Sequence, residues 1–340
     1  MLFRPFFALT LFSAFCSFAP AASAQAASAA SDGQQQVRTW LVRMQEAAGK
    51  RNFQGTFVIS GGGAVSSARI AHFCVGAQQY ERIESLDGQA RHVFRHNDLV
   101  QTVWPDNRVV VIEQTQLPRA FPAVLQATDE RIAEHYELRS QGQGRIAGHE
   151  ADVLLVQPRD KLRFGYRLWS DRSTGLLLRA DVLGEADEVL ETSAFSEVTI
   201  GIKAQPDSVL QPMRRLDGFR VLRPQLQPIQ LEDEGWVMAK LVPGFSLVSG
   251  VKRPMGAGAG AGDPEAQAPG VLQAIYSDGL THVSIFIEPY NPQRHLREMR
   301  ASLGATQTLM RRNGDWWITL VGDVPPGTLK KFAAALERKN

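Results

Sequence analysis

The chain of 340 residues carries 37 lysines and arginines against 35 aspartates and glutamates, a formal net charge of +2. This balance argues against a nucleic-acid-binding protein, whose electrostatic footprint is strongly basic. The length exceeds the roughly 250–300 residues that one hydrophobic core usually serves, so two domains are expected.

A cleaved signal peptide is predicted at residues 1–24. Arg4 precedes an apolar run from Pro5 to Phe18, and Ala22-Ser23-Ala24 fits a small-residue cleavage site. The run is shorter than the roughly 18 residues of a membrane span, which favours cleavage over anchoring. The mature chain then keeps Cys74 as its single cysteine, so no intramolecular disulfide is expected. Its apolar neighbours favour a buried small hydrophobe over a reactive thiol.

The first part of the mature chain predicts a helix followed by a long antiparallel sheet. Apolar residues between Trp40 and Ala48 recur at helical spacing. Turn residues such as Asp87-Gly88 then separate six strand-like segments: Phe53–Ile59, Ile70–Val75, Tyr80–Leu86, Arg91–Arg95, Leu99–Trp104 and Arg108–Glu113. Gly61-Gly62-Gly63 lacks the lysine of a phosphate-binding loop and precedes a strand-like segment, which predicts a hairpin tip.

Three further strands are predicted over residues 162–198. Phe164 and Tyr166 alternate with Arg163 and Arg167, which predicts one apolar face and places both arginines on the polar face. The turns between these strands are short, so their pairing must be antiparallel. We therefore predict one large, curled antiparallel sheet covered by a few helices, in a domain of residues 25–203.

A smaller second domain, residues 230–340, is predicted after a linker. Residues 204–229 contain proline and glutamine with weak periodicity, as a linker does, and residues 210–222 within them are a candidate short helix. In the second domain, Ser277-Asp278-Gly279 is a hairpin signal between two strand-like segments. An amphipathic helix closes the chain, with Thr328 as its predicted N-cap.

The sequence offers no recognisable catalytic constellation. It lacks the Gly-x-Ser-x-Gly nucleophile elbow and the His-Glu-x-x-His zinc motif. The run from His149 to Asp152 leads into a strand, so a turn is favoured over a metal site. We predict no catalytic residue, no metal and no cofactor, and a hydrolase is the least supported class.

A small basic patch of Arg91, His92 and Arg95 with His96 has two interpretations. Charged residues on a solvated strand edge discourage pairing with other chains. Alternatively, the patch contacts an anionic ligand or an acidic partner. Both interpretations remain open from the sequence alone.

The large sheet itself is a candidate ligand site, because a curled sheet too wide to be filled by its own side chains can hold an apolar ligand. Each candidate wall residue has ordinary core packing as its alternative role. The predicted wall consists of Phe57, Ile59, Ile70, Phe73, Val93, Leu99, Val103, Val109, Val111, Phe164 and Tyr166.

Several motifs resemble the RseB/MucB family of periplasmic sigma-E regulators. In the second half they are Leu241-Val242-Pro243-Gly244-Phe245, Tyr276-Ser277-Asp278-Gly279-Leu280 and Val321-Gly322-Asp323-Val324-Pro325-Pro326. In the first half, Phe164 to Asp171 and then Leu178-Arg179-Ala180-Asp181 are similar to the core of the family's N-terminal domain. The Gly- and Ala-rich Met255–Gly270 segment is longer than is usual in the family, which argues against a partner contact through that loop.

The resemblance implies a mainly β protein of the α+β class. A half-open N-terminal antiparallel β-barrel, covered by helices and similar to bacterial lipoprotein carriers, would precede a smaller C-terminal antiparallel sheet with one terminal helix. It also implies a non-enzymatic periplasmic regulator of the envelope stress response. This regulator would bind the periplasmic segment of a single-pass anti-sigma factor and shield it from regulated proteolysis.

Under the same resemblance, lipopolysaccharide or lipoprotein acyl chains would weaken that complex, and the chain would form homo-oligomers. No nucleic-acid partner is expected. The alternative function is a periplasmic lipid or lipoprotein carrier, which has no evident need for the second domain. Fold likeness alone does not decide between these two functions.

Overall fold

A computed structural model describes residues 39–114, 131–253 and 270–339. The predicted signal peptide at 1–24 and most of the Met255–Gly270 loop lie outside these ranges. Within them, no helix combines the length and the apolar character that crossing a membrane requires.

Twelve strands of the described chain form one large sheet. They are β1 (Phe53–Gly61), β2 (Ala64–Val75), β3 (Gln78–Ser85), β4 (His92–His96), β5 (Leu99–Trp104), β6 (Val109–Gln114), β7 (Tyr136–Ile146), β8 (His149–Pro158), β9 (Gly165–Asp171), β10 (Leu177–Leu183), β11 (Val189–Ile200) and β12 (Arg220–Leu222). Their order is β12-β6-β5-β4-β3-β2-β1-β11-β10-β9-β8-β7, antiparallel throughout except for the parallel pair β12–β6.

The sheet curls without closing. β7 contacts β11 even though β8, β9 and β10 lie between them in the sheet. In the described part of the chain, β12 and β7 stand at opposite ends of the strand order and do not pair. The predicted half-open antiparallel barrel is therefore confirmed.

Helices cover the two faces of this sheet at different places. Helix α1 (39–50) packs on one face, which we call the α1 face, through Met44 and Ala47. Helix α3 (Asp207–Arg214) packs on the opposite α3 face through Val209 and Met213. The short helix α2 (Arg131–His135) leads directly into β7. Helices α1 and α3 each bury an apolar stripe, and neither helix would be stable alone in water.

The predicted linker, residues 204–229, is structured. Helix α3 begins three residues before the candidate helix at 210–222 and ends at Arg214. β12 then returns to the first sheet beside β6, and β13 (Gln227–Pro228) already pairs within the second sheet. Most of this segment therefore completes the first sheet.

Seven strands of the described chain form the second sheet, in the order β13-β15-β16-β17-β20-β19-β18. They are β13, β15 (Ser246–Arg253), β16 (Val271–Ser277), β17 (His282–Pro289), β18 (Met299–Leu303), β19 (Thr306–Asn313) and β20 (Trp316–Gly322). Short strands β14 (Trp236–Met238) and β21 (Leu336–Arg338) pair separately. This smaller sheet and its terminal helix α4 (Pro326–Ala335) agree with the predicted fold class.

The prediction that Thr328 caps α4 is wrong. Pro325 occupies the N-cap position and makes no side-chain cap hydrogen bond, while proline at the first helical position suits the helix start. The Thr328 hydroxyl instead donates to the carbonyl of Leu162, 2.9 Å away, in the segment before β9. A polar residue at a helix start therefore joins the two sheets.

The turn between β9 and β10 forms as the sequence predicts. One Asp171 oxygen accepts the backbone N–H groups of Ser173 and Thr174, at 3.1 and 2.7 Å, and Gly175 adopts a φ of 82°. Burial by itself favours the protonated carboxyl, but the hydrogen bonds from Ser173 and Thr174 outweigh it and lower the pKa of Asp171. This local network fixes the antiparallel register of β9 and β10.

Candidate functional site

Strand register divides the predicted cavity wall between the two faces of the first sheet. Residues directly opposite in adjacent antiparallel strands share a face. By this rule Phe57, Ile59, Ile70, Val93, Val109, Val111 and Tyr166 lie on the α1 face. Phe164, just before β9, packs in the same core as Tyr166.

The remaining three predicted residues cannot line the same cavity. Phe73 and Val103 belong to the core under α3, and Leu99, on the same face as both, is 38% exposed. The reason is the two-residue period of a strand: Ile70 and Phe73 are three residues apart, so they point to opposite faces. Apolar character identified these residues, but only register assigns them to a face.

The α1 face has a covered end and a partly open end. At the covered end, α1 packs over β1 and β9–β11, where Phe57 and Ile70 are fully buried core residues. At the other end, Ile83, Val93 and Thr102 lie side by side across β3, β4 and β5, and each is only partly buried. This partly exposed apolar strip adjoins the buried Val111 and contains one residue of the predicted wall, Val93. Another predicted wall residue of this face, Ile59 on β1, is 39% exposed.

The structure does not bring the predicted anionic contact together. β4 is an internal strand between β3 and β5, so the strand-edge interpretation is wrong. His92 and Arg95 lie on opposite faces, since they are three residues apart. His92 faces Glu84, with nitrogen and oxygen 3.8 Å apart, and Arg95 stands opposite Glu81. Arg91 precedes the strand and is exposed.

A buried histidine links β2 to β3 beneath the end of α1. The His72 ring stacks on Phe53, and its Nε2 lies 3.3 Å from the sulfur of Cys74. Its Nδ1 lies 3.8 Å from a carboxylate oxygen of Glu81. The Cys74 thiol donates to the Gly49 carbonyl at 2.9 Å and is partly exposed, so Cys74 is not the fully buried hydrophobe that its neighbours predict. Burial lowers the pKa of His72, but hydrogen bonds with Cys74 and Glu81 raise it to about 9.

This histidine should make stability depend on pH. The folded chain holds the His72 proton more tightly than the unfolded chain, whose pKa is near 6.5. Its stabilisation is therefore complete below pH 6.5 and is lost as the pH rises towards 9, by roughly 3 kcal/mol. Urea unfolding across this range should show the decline in the parent chain and a flatter profile in His72→Gln. Equal slopes in the two proteins would contradict the assignment.

A buried ion pair joins the two sheets. Arg163, just before β9, donates from Nε to a carboxylate oxygen of Asp278 in the β16–β17 turn, at 2.6 Å. Both side chains are 0% exposed. Arg163 also donates to the Pro243 carbonyl at 2.8 Å and pairs with the partly exposed Asp160. The alternation predicts a polar face at Arg163, and the second sheet buries this arginine.

Both carboxylate oxygens of Asp278 accept further hydrogen bonds. The Tyr136 hydroxyl donates to it at 2.8 Å, and the backbone N–H groups of Leu280 and Thr281 donate to its other oxygen, each at 2.9 Å. Burial and the Asp278 charge raise the pKa of Tyr136, so the phenol stays protonated. Leu280 packs in the same apolar core as Tyr136 and Leu168, which makes the core continuous across the two sheets.

Two hairpin turns complete the junction. Gly62, in the β1–β2 turn, has a φ of 59°, and a Cβ atom there would lie 2.6 Å from the backbone nitrogen of Gly304 in the β18–β19 turn. Beside them, burial and the charge of Asp323 raise the pKa of Glu191. The glycine run is therefore a hairpin tip, as predicted, and it also permits a close approach between the two sheets.

Comparison with known proteins covers both parts of the chain. Residues 36–213 match the MucB/RseB N-terminal domain and residues 230–337 match the MucB/RseB C-terminal domain. The sigma factor AlgU regulatory protein MucB of Pseudomonas aeruginosa is 31% identical over 311 residues, spanning 87% of this chain and 89% of that relative. The sigma-E factor regulatory protein RseB of Escherichia coli K12 is 25% identical over 296 residues, spanning 86% and 88% respectively.

Solved structures give the same result. The structure of the Pseudomonas aeruginosa MucA/MucB complex contains a chain that matches with a TM-score of 0.66 and 29% identity, over 90% of this chain and 99% of that one. A crystal structure of MucB matches with a TM-score of 0.63 and 26% identity, over 91% of this chain and 98% of that one. Similarity in sequence and in fold therefore extends over both sheets, and the chain belongs to the MucB/RseB family of sigma factor regulatory proteins.

Proposed function

We propose that this chain is a periplasmic negative regulator of the sigma-E envelope stress response. It binds the periplasmic segment of a membrane anti-sigma factor and shields that segment from regulated proteolysis. It carries out no chemistry of its own. The observation that carries this proposal is the match to MucB over both sheets, because MucB has been solved in complex with MucA(peri).

The junction between the sheets supports a binding role. The Arg163–Asp278 pair, the Thr328 hydrogen bond to Leu162 and the shared core around Leu280 fix both sheets relative to one another. A partner that touches both sheets then meets a preformed surface and does not have to order it, which lowers the entropic cost of binding. Steric cover of the cleavage region is the simplest mechanism of shielding.

The partly exposed apolar strip on the α1 face supports ligand-controlled release. An acyl chain of lipopolysaccharide or of a lipoprotein has the chemistry to lie along Ile83, Val93 and Thr102. A ligand that prefers the unbound regulator shifts the equilibrium away from the anti-sigma factor complex by its differential affinity. The same strip favours the second candidate function, a periplasmic lipid or lipoprotein carrier.

Protection from proteolysis tests the proposal. The mature chain, mixed with the periplasmic segment of its anti-sigma factor and the initiating protease, should slow cleavage of that segment. Lipopolysaccharide or a lipopeptide should restore cleavage. Transfer of lipid between vesicles without any protection would support the carrier and overturn the regulator.

Two matched variants locate the ligand surface in the same assay. Val93→Asn adds a polar group to the α1 face and should raise the concentration of lipid needed for release by roughly tenfold, since an unpaired amide opposes apolar contact. Leu99→Asn makes a comparable change at a partly exposed position of the α3 face and should leave release unchanged. Equal effects of the two substitutions would remove the α1 face from the site.

A further inference from the structure

The strand at one end of the second sheet is open to solvent. β18 pairs with β19 on one side only, and among the described residues no strand pairs with its other side. All five residues from Met299 to Leu303 are exposed. Because hydrogen bonding alternates along an antiparallel pair, alternate residues of β18 turn their N–H and C=O groups away from β19. This edge offers a row of main-chain donors and acceptors.

A groove lies on the adjoining face of the sheet, over β19 and between β18 and helix α4. It comprises a cleft of about 640 Å³ and an adjoining smaller one of about 250 Å³, which share Arg300, Leu309 and Lys330 as lining residues. Leu309 and Leu329 are buried residues and form an apolar floor. Arg300 and Lys330 are exposed and stand on the β18 side and the α4 side respectively. The groove is therefore apolar below and cationic along its rims.

The charge of the larger cleft is strongly one-sided. Arg300, Arg311, Arg312 and Lys330 line it against the single carboxylate of Glu298. The Glu298 carboxylate already accepts a hydrogen bond from the backbone N–H of Arg312, at 2.9 Å. In the part of the chain that the structure describes, none of the four cations forms an ion pair with a carboxylate.

Two of these cations are held in place by neutral groups. Arg311 donates to the Ala333 carbonyl at 3.2 Å. The Arg312 guanidinium donates to the Gly314 carbonyl at 2.7 Å and lies 4.0 Å from the centre of the Tyr290 ring. Neither contact neutralises the positive charge. Arg311 is on the same face of β19 as Leu309, so its charge lies in the groove, whereas the Arg312 guanidinium lies on the opposite face beside Tyr290.

We propose that β18 and this groove bind an extended acidic peptide segment, which adds as a further strand to the second sheet. The peptide main chain pairs with the free edge, and its side chains alternate between the groove and the outer face. Carboxylates meet Arg300 and Lys330, and apolar side chains cover Leu309 and Leu329. A lipid phosphate would use the cations but not the row of main-chain groups, so a peptide fits more of the surface. This inference does not depend on the proposed anti-sigma factor complex.

The probe is a labelled peptide in which every second residue is alternately glutamate and valine and the residues between them are serine, so that both kinds of side chain lie on one face of the strand. Fluorescence anisotropy with the mature chain should show binding that weakens as salt increases, because the contacts are ionic. Hydrogen exchange of residues 299–303 should slow when the peptide binds. The same peptide with lysine in place of each glutamate should bind at least tenfold more weakly.

Charge reversal identifies the groove. Arg300→Glu with Lys330→Glu should weaken peptide binding by tenfold or more. The matched control, Arg145→Glu with Lys331→Glu, changes two exposed cations outside the groove and should bind as the parent chain does. Arg300→Gln with Lys330→Gln gives a milder variant, and thermal melts of each protein establish that it is folded.

Several results would overturn the inference. One is an equal loss of peptide affinity in the control pair, and another is unchanged hydrogen exchange of residues 299–303. A third is no peptide binding at all, which would mean that the charges only prevent pairing at the edge. The fourth is displacement of the peptide by phosphatidylglycerol vesicles but not by unlabelled peptide. A concentration-dependent dimer that competes with the peptide would assign the edge to a second copy of the chain and would also overturn it.

Discussion

Replacing Arg163 with methionine is expected to lower the free energy of unfolding by roughly 3–5 kcal/mol, as removal of one partner from a buried ion pair typically does. The substitution leaves the Asp278 carboxylate fully buried and opposed only by neutral donors, namely the Tyr136 hydroxyl and two backbone N–H groups. Urea unfolding of the mature chain measures the loss.

A double-mutant cycle separates the pair from its surroundings. Arg163→Met together with Asp278→Asn should cost less than the sum of the single changes, because neither charge is then left alone. Arg172→Met is the matched control, since Arg172 pairs with Asp152 at 3.4 Å on the surface and should cost at most about 1 kcal/mol. If Arg163→Met costs no more than this control, the junction does not depend on the ion pair.

Phe332→Ala should destabilise the second sheet by about 3–5 kcal/mol, the range for truncating a buried aromatic residue. Phe332 is fully buried on α4, and its ring packs edge-on against Phe245 at 5.3 Å and tilted against Tyr276 at 5.5 Å. Its loss leaves a cavity that the surrounding sheet and helix cannot fill.

Calorimetry of the parent and variant chains measures this effect. Leu296→Ala provides the control, because Leu296 is 82% exposed and its truncation should change the unfolding free energy by no more than about 0.5 kcal/mol. A Phe332→Ala protein as stable as this control would mean that the core around α4 contributes little.

Much of the fold could be predicted because it is encoded locally. Period-two runs such as the one around Tyr166 gave strands in the right order, and turn residues such as those after Asp171 gave antiparallel connections. The helix around Met44 followed from its spacing alone. These features depend on neighbours within a few residues, so a single sequence contains the information.

The candidate site could be predicted only in part, because its contacts are remote in sequence. Arg163 and Asp278 are 115 residues apart in the sequence. Taken alone, Arg163 is accounted for as a polar strand residue and Asp278 as a turn residue, so neither indicates the pair. Face assignment failed for a related reason: Phe73 and Ile70 are both apolar, and only pairing with β1 and β3 separates them. The groove beside β18 likewise requires α4 and β18 to be neighbours.

The position of Arg163 also bears on the order in which a newly made chain can fold. Synthesis from the N-terminus delivers every strand of the first sheet before Asp278 exists, and domains generally fold in that order. During this interval the guanidinium has Asp160 as a partner but lacks the carboxylate and the Pro243 carbonyl that later enclose it. The first sheet therefore reaches its final packing only after the second has been made, so the first part depends on the second to complete its fold.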